Sequence, residues 1–196
     1  MRRLLLACVL ACPSLAMAQA PRPGTPVAPA APAAPAPEPP DRTSASFGDW
    51  TMRCEMLRPQ GQPATRSCEV VLTVADQRGQ PVLLLAVGRP ARTEPMRIIA
   101  QLPIELRVDQ PARLLPDPAA PLAEGLTLPL RLCSAARGGC FAELELRDDV
   151  ALRRLRARGD NPGRVDFRGS GGQEIQVPFS LRGFGPALDA MMREAG

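Results

Sequence analysis

The sequence predicts a single all-β domain, an antiparallel two-sheet sandwich with two short helices that is held together by two disulfides. Apolar and polar residues alternate along several short segments, two further segments are continuously apolar, and four cysteines lie among them. Alternation with period two is typical of antiparallel strands that bury one face. Unbroken apolar runs of this length suit central strands.

The N-terminus resembles a secretory leader. Met1-Arg2-Arg3 is a positive segment, Leu4–Leu10 is apolar, and Ala16-Met17-Ala18 is a small-x-small cleavage site. This pattern predicts a signal peptide over residues 1–18. In the alternative interpretation Val9–Cys12 is a lipobox, and Cys12 carries a lipid anchor. The apolar run is too short to span a bilayer, and no later segment predicts a transmembrane helix.

The next segment predicts a spacer rather than a folded element. Nine of the residues from Pro21 to Pro40 are proline, and most of the others are alanine. Such a composition cannot bury a core and favours extended polyproline II structure. We therefore assign residues 19–46 to an Ala/Pro-rich disordered linker and residues 47–194 to one β domain, which contains all six aromatic residues.

The strands follow from the two kinds of hydrophobic pattern. Alternation predicts four strands, at residues 104–108, 126–132, 142–146 and 175–181. Pro129 and Pro178 cannot donate to a ladder, so we expect their strands at sheet edges or at bulges. The continuous runs at residues 70–75 and 82–87 predict central strands, with a turn at Gly79-Gln80-Pro81 between them.

Two helices are expected in the second half of the domain. Asp148 or Asp149 can cap a short helix that ends before Gly159 and turns Leu152 and Leu155 inward. Its outer face carries four arginines: Arg153, Arg154, Arg156 and Arg158. We interpret this face as solvated, and the alternative is that it contacts an anionic lipid or glycan surface. At the C-terminus Pro186 can open a helix with one apolar face, formed by Leu188, Met191 and Met192.

Four cysteines allow three disulfide pairings. We favour Cys54–Cys68 and Cys133–Cys140, because each pair brackets a turn-rich segment. A zinc site and a redox-active pair are the alternatives, and both favour a Cys-x-x-Cys spacing that neither pair has. The sequence therefore predicts structural disulfides, with no metal and no cofactor. Trp50, four residues before a cysteine, is interpreted as core packing, and Phe184 as the anchor of the terminal helix.

Composition argues against several functions. The chain has no histidine, the usual general base and a usual zinc ligand. Its formal charge of +4 is mild, and the arginines are scattered, so we expect no nucleic-acid partner. A hydrolase would depend on carboxylates such as Asp49, Glu143 and Glu145, and one of them would need a strongly raised pKa. We therefore predict that the protein is not an enzyme.

The order of the motifs is similar to one known family. Phe47-Gly48-Asp49-Trp50 is followed by Cys54 and Cys68, then by Cys133 and Gly139-Cys140, and residues 175–184 form a C-terminal signature before an alanine-rich helix. Together they resemble the invasion-associated locus B family over most of residues 47–192. Residues 102–105 depart from this pattern, because Glu105 stands where the family tends to have glycine. The proline-rich segment 109–124 is also irregular.

The resemblance implies an exported, non-catalytic envelope protein of a Gram-negative bacterium, in the periplasm or at the outer-membrane surface. It also implies a binding or structural role, with involvement in host-cell attachment or entry, and an envelope or host-surface component as the partner. The alternative is a periplasmic accessory protein that binds an envelope component and has no role at the host. The family resemblance carries over no catalytic residues.

Overall fold

A computed structural model describes residues 40–61, 63–91 and 93–194. The predicted signal peptide, the lipobox at Cys12 and the linker up to residue 39 lie outside the described residues. None of the helices in the described part of the chain is long and apolar enough to cross a membrane. The first strand begins at Arg42, so the sheet starts within the segment that was predicted as linker.

Two antiparallel sheets form the domain, which confirms the predicted fold class. The larger sheet has seven strands, in the spatial order β1 (Arg42–Phe47), β2 (Trp50–Leu57), β3 (Thr65–Ala75), β4 (Pro81–Arg89), β5 (Arg97–Leu102), β9 (Gly139–Glu145) and β8 (Leu130–Ser134). The smaller sheet has four strands, in the order β11 (Glu174–Phe179), β10 (Gly163–Arg168), β6 (Ala112–Leu115) and β7 (Leu126–Leu128). The helices are α1 (Val150–Ala157) and α2 (Phe184–Glu194).

Both sheets and both helices contribute to one hydrophobic core. In the seven-stranded sheet the inner face includes a row of four directly paired residues, all buried: Met52, Val70, Val87 and Ile98. Helix α2 lies against β1, β2 and β3. The residues that alternate with the buried row lie on the outer face of this sheet.

Proline positions were informative about the strands. The predicted strand at residues 126–132 is divided at Pro129 into β7 and β8, which belong to different sheets and form an edge in each. Pro178 lies in β11, the other edge of the four-stranded sheet. Edge strands tolerate proline because the missing N–H has no partner to bond. The continuous apolar runs became β3 and β4, which are inner strands as predicted.

Two predictions of local structure were wrong. Residues 104–108 are not a strand: Leu106 is buried and forms an isolated bridge with Gly169, whereas Ile104 and Val108 are exposed. Pro103 and Pro111 flank this segment and remove two donors that a ladder would need. The terminal helix begins at Phe184, and Met192 is 44% exposed rather than on the buried face with Leu188 and Met191.

Helix α1 agrees with the prediction. Leu152 and Leu155 are buried, and the backbone N–H of Val150 donates to the carboxylate of Asp148 at 2.9 Å. This bond satisfies one of the free donors at the first turn. Asp148, rather than Asp149, therefore makes the side-chain contact with the start of the helix.

Candidate functional site

A groove of about 650 Å³ lies on the seven-stranded sheet and crosses strands β1 to β5. Its walls include a row of directly paired residues on the outer face: Ser44, Arg53, Glu69, Gly88 and Arg97. Four of these residues alternate along their strands with buried core residues, and beside Ser44 the partly buried Ala45 packs against the core, so the core supports the strands beneath the groove. The groove therefore has a rigid floor and polar walls.

Gly88 forms the centre of this floor. A Cβ atom at this position would lie 2.7 Å from the Cβ of Glu69 and 2.9 Å from the carbonyl oxygen of Cys68. Because a real side chain cannot approach so closely, β3 and β4 can pair here only with glycine at residue 88. The missing side chain leaves open space between the long side chains on either side.

The charged side chains of the groove are mostly paired with one another. Arg53 contacts Glu69 at 2.6 Å, and Arg42 lies 3.8 Å from Glu55. Arg97 faces three carboxylates outside the groove, at 3.4 to 3.7 Å: Glu94, Glu143 and Glu145. These partially exposed pairs fix side-chain positions, and each contributes little to stability.

Arg89 is the exception. It ends β4 beside Gly88 and lines the groove, and no carboxylate among the described residues is within ion-pair distance of it. The side chain is half-buried, and its Nε atom is buried with no hydrogen-bond partner. Arg89 pairs directly with the buried Cys68, so its side chain lies on the inner face of the sheet and does not supply a cation to the groove.

The carboxylates considered for hydrolysis do not form a common site. Glu143 and Glu145 both contact Arg97, whereas Asp49 contacts Arg182 near the C-terminus. Hydrogen bonds from Arg182 and then Ser180 hold the pKa of Asp49 below its ordinary value. A general acid needs a raised pKa. The shift of Asp49 is in the opposite direction, so this residue is suited to an ion pair and not to proton donation.

Asp49 belongs instead to a contact that we call the clasp, in which the turn after β1 meets the segment before α2. The backbone N–H of Asp49 donates to the carbonyl of Arg182 at 3.0 Å, and the carboxylate of Asp49 accepts from the guanidinium of the same residue. The indole N–H of Trp50 donates to the carbonyl of Ser180 at 3.0 Å. The Trp50 ring lies 4.9 Å from that of Phe184, tilted by 60°.

The clasp explains the two sequence motifs at the ends of the domain. Trp50 and Phe184 are buried, as predicted for a core tryptophan and a helix anchor. Gly183 has a φ of 89°, and a Cβ there would overlap the carbonyl oxygen of Phe47. The residues of both motifs therefore hold the two ends of the domain together, which is a structural role.

The arginines of the α1 face are largely neutralised by aspartates. Arg153 forms an ion pair with Asp149, Arg156 with Asp189 at 2.8 Å, and Arg158 with Asp117 at 3.0 Å. Arg154 has no carboxylate partner among the described residues. These pairs favour the interpretation as a solvated face, and a contact with an anionic surface remains a proposal.

Both disulfides have the predicted pairing. Cys54–Cys68 joins directly opposed residues of β2 and β3, and both cysteines line the groove. Cys133–Cys140 joins β8 to β9 in the same way. Within the described residues, no group of three or more His, Cys, Asp or Glu side chains could hold a metal ion.

The sequence analysis did not identify the groove. The sequence feature that could have indicated it is Gly88, a glycine inside an apolar strand. Such a glycine often marks a position where another backbone or a ligand approaches closely. The ion pairs of the groove could not be read from the sequence, since they depend on which residues the strand register brings together.

The fold and the site define a disulfide-linked β-sandwich protein with an open polar groove. The chain belongs to the invasion-associated locus B (IalB) family, whose model matches residues 50–192. The crystal structure of invasion associated protein b from Bartonella henselae is similar, with a TM-score of 0.60 at 18% identity over 77% of this chain and 95% of that chain. A comparison with curated proteins finds no match. The disulfides and the family membership indicate an exported protein.

Proposed function

We propose that the protein is a non-catalytic binding protein of a Gram-negative cell envelope, and that its ligand occupies the groove on the seven-stranded sheet. One observation carries this proposal: a groove of about 650 Å³, lined by charged and hydroxyl side chains, crosses five strands on the outer face of the sheet. Binding sites are concave and place a few polar groups on a rigid frame. Here the frame is a sheet that is braced from behind by the core and cross-linked between β2 and β3.

The lowered pKa values of three aspartates support a non-catalytic role. Three aspartates have pKa values below the ordinary value, each because a neighbouring arginine hydrogen-bonds to the ionised form: Asp41, Asp49 and Asp109. Active sites shift pKa values toward the requirements of proton transfer. These shifts instead keep the carboxylates ionised in surface ion pairs.

Location decides what kind of ligand the protein meets. The leader-like N-terminus and the disulfides support export, with the domain either in the periplasm or at the outer-membrane surface. The Bartonella relative is described as an invasion associated protein. On this basis we propose an involvement in host-cell attachment or entry. The alternative is a periplasmic accessory role that involves an envelope component and no host.

Protease shaving of intact cells tests the proposal. A C-terminal epitope tag is followed by immunoblotting in intact cells, in cells with a permeabilised outer membrane and in lysates, beside a periplasmic marker. Loss of the tag from intact cells supports the surface role at the host. Protection until the outer membrane is opened supports the periplasmic role. A tag that remains protected until the inner membrane is broken contradicts export and the whole proposal.

A further inference from the structure

We propose that a second copy of this chain docks on the outer face of the seven-stranded sheet, about a two-fold axis that runs parallel to β4. The inference rests on the proposed binding role of the groove and names the partner that occupies it. Directly paired residues form two neighbouring rows across this face, from β2 to β9. The first, the charged row, consists of Arg53, Glu69, Gly88, Arg97 and Glu145. The second, the apolar row, has three apolar residues at its centre: Thr51, Val71, Ala86, Ile99 and Glu143.

The charges of the charged row are reversed in sign on the two sides of Gly88. Arg53 and Glu69 lie on one side, and Arg97 and Glu145 lie on the other, so the order is positive, negative, glycine, positive, negative. A two-fold axis along β4 sets each position against the position at equal distance on the other side of Gly88. Glu69 then faces Arg97 of the second copy, and Arg53 faces Glu145. Every charge in the row meets an opposite charge, so the row is complementary to itself.

The ion pairs within one copy leave a carboxylate for the second copy. Arg97 is the shared partner of three carboxylates, those of Glu94, Glu143 and Glu145, at 3.4 to 3.7 Å. The Glu145 side chain is the most exposed of the three, at 55%. Because one guanidinium cannot make two-pronged hydrogen bonds to three carboxylates, Glu145 gains from a second arginine. Arg53 of the second copy supplies it.

The apolar row and Gly88 allow the two sheets to approach each other. The same axis sets Val71 against Ile99 of the second copy and Ala86 against its own counterpart. Val71 and Ile99 are partly exposed, and the small Ala86 lies between them. Gly88 has no side chain to separate the two copies at the axis. The two sheets can therefore pack face to face with aligned strands, with apolar contacts at the centre and ion pairs beside them.

The size of this face predicts a weak, reversible dimer. Five strands and two rows cover about 19 Å by about 13 Å, at about 4.8 Å per strand and about 3.3 Å per residue. This footprint is smaller than the roughly 800 Å² that each partner buries in a stable complex. We therefore expect self-association at protein concentrations on the order of 0.1 mM.

Sedimentation velocity of the oxidised protein, from about 10 μM to about 1 mM, measures this self-association. Arg53→Glu and Glu145→Arg each set like charges against each other at two symmetric contacts, so each should weaken self-association at least about tenfold. A mixture of the two variants restores opposite charges at both contacts. In that heterodimer the introduced glutamate faces the introduced arginine, and the unaltered Arg53 faces the unaltered Glu145.

The mixture should therefore associate at least about tenfold more tightly than either variant alone. Its heterodimer also shows that both variants fold, so the test does not depend on the stability of one substitution. Arg78→Glu is the matched control, because Arg78 is an exposed arginine in the turn between β3 and β4, outside the groove. It should self-associate like the wild type.

Three results overturn the inference. One is a wild-type protein that stays monomeric at about 1 mM, which leaves the face to a different partner. The others are self-association that both charge variants retain, and a mixture that associates no more tightly than the separate variants. None of these results affects the shaving experiment, so failure of the dimer and failure of the envelope assignment are distinguishable.

Discussion

A methyl group added to Gly183 should disrupt the clasp, whereas the same change at Gly185, two residues later, should be tolerated. At Gly183 the new Cβ would overlap the carbonyl oxygen of Phe47 and lie 2.9 Å from the nitrogen of Gly48. Both are backbone atoms of the turn after β1, so they cannot move aside as a flexible side chain can. At Gly185 a Cβ would meet nothing within 4 Å, and the residue lies inside α2.

The expected magnitudes have opposite signs. At Gly183 the left-handed backbone costs about 1–2 kcal/mol for alanine, and forcing the turn away from the segment before α2 costs about 1–3 kcal/mol more. Gly183→Ala should therefore lower the free energy of unfolding by about 2–5 kcal/mol. Gly185→Ala should raise it by about 0.5–1 kcal/mol, because alanine is the better helix former.

Thermal unfolding of the oxidised domain measures both effects, with far-UV circular dichroism and Trp50 fluorescence as probes. For a domain of this size 1 kcal/mol corresponds to about 2–4 °C in Tm. We expect Tm to fall by roughly 10 °C in Gly183→Ala and to rise by roughly 2 °C in Gly185→Ala. A Gly183→Ala protein that melts within about 2 °C of the wild type would refute the clasp as a close backbone contact.

Three further predictions concern the cross-links and charges. Replacing Cys54 and Cys68 together by alanine should cost about 3 kcal/mol, the value for a loop of about 15 residues, as measured by urea denaturation; an unchanged midpoint would show that this disulfide does not stabilise the domain. The folded-state pKa of Asp49 is lowered, so its ion pair with Arg182 stabilises the protein above the unfolded pKa, about 3.9, and is lost as pH falls through the folded value. Asp49→Asn should therefore lower Tm at pH 7, and this difference should shrink as pH falls below about 3.9; a difference that does not change with pH would contradict the ion pair. Reversing the four arginine charges of the α1 face should leave binding to anionic liposomes unchanged, since three of them are already paired with aspartates; abolition of measurable binding would establish the anionic-surface contact instead.

The parts of the fold that were predicted correctly are those where local chemistry is decisive. Residues 70–75, apart from Thr73, and residues 82–87 are apolar on both faces and form inner strands. Pro129 and Pro178 lack a backbone N–H donor. Pro178 lies in an edge strand, and Pro129 lies between two edge strands. Strand β1 was missed because only two of its six residues, Ala45 and Phe47, are apolar. Its pairing depends on β2, which the local pattern cannot show.

The candidate site was harder to predict, because it is a property of the register. Arg53, Glu69 and Arg97 come from three strands and meet only when those strands pair as they do. The same register assigns carboxylates to Arg53 and Arg97. The residue spacing within one segment does not reveal how the strands pair. The close approach of β3 and β4 is different, because it requires a glycine, Gly88, that can be seen in the sequence.

The clasp also has a consequence for the order of folding. Strands β1 to β5 follow one another in the chain and in the sheet, so their hairpins can form early, with short loops to close. Trp50 and the carbonyl of Ser180 are 130 residues apart in sequence, and closing such a loop carries a larger entropic cost. We therefore expect the two ends of the domain to join last. Trp50 is the sole tryptophan of the chain, so its fluorescence reports the final step in a refolding experiment.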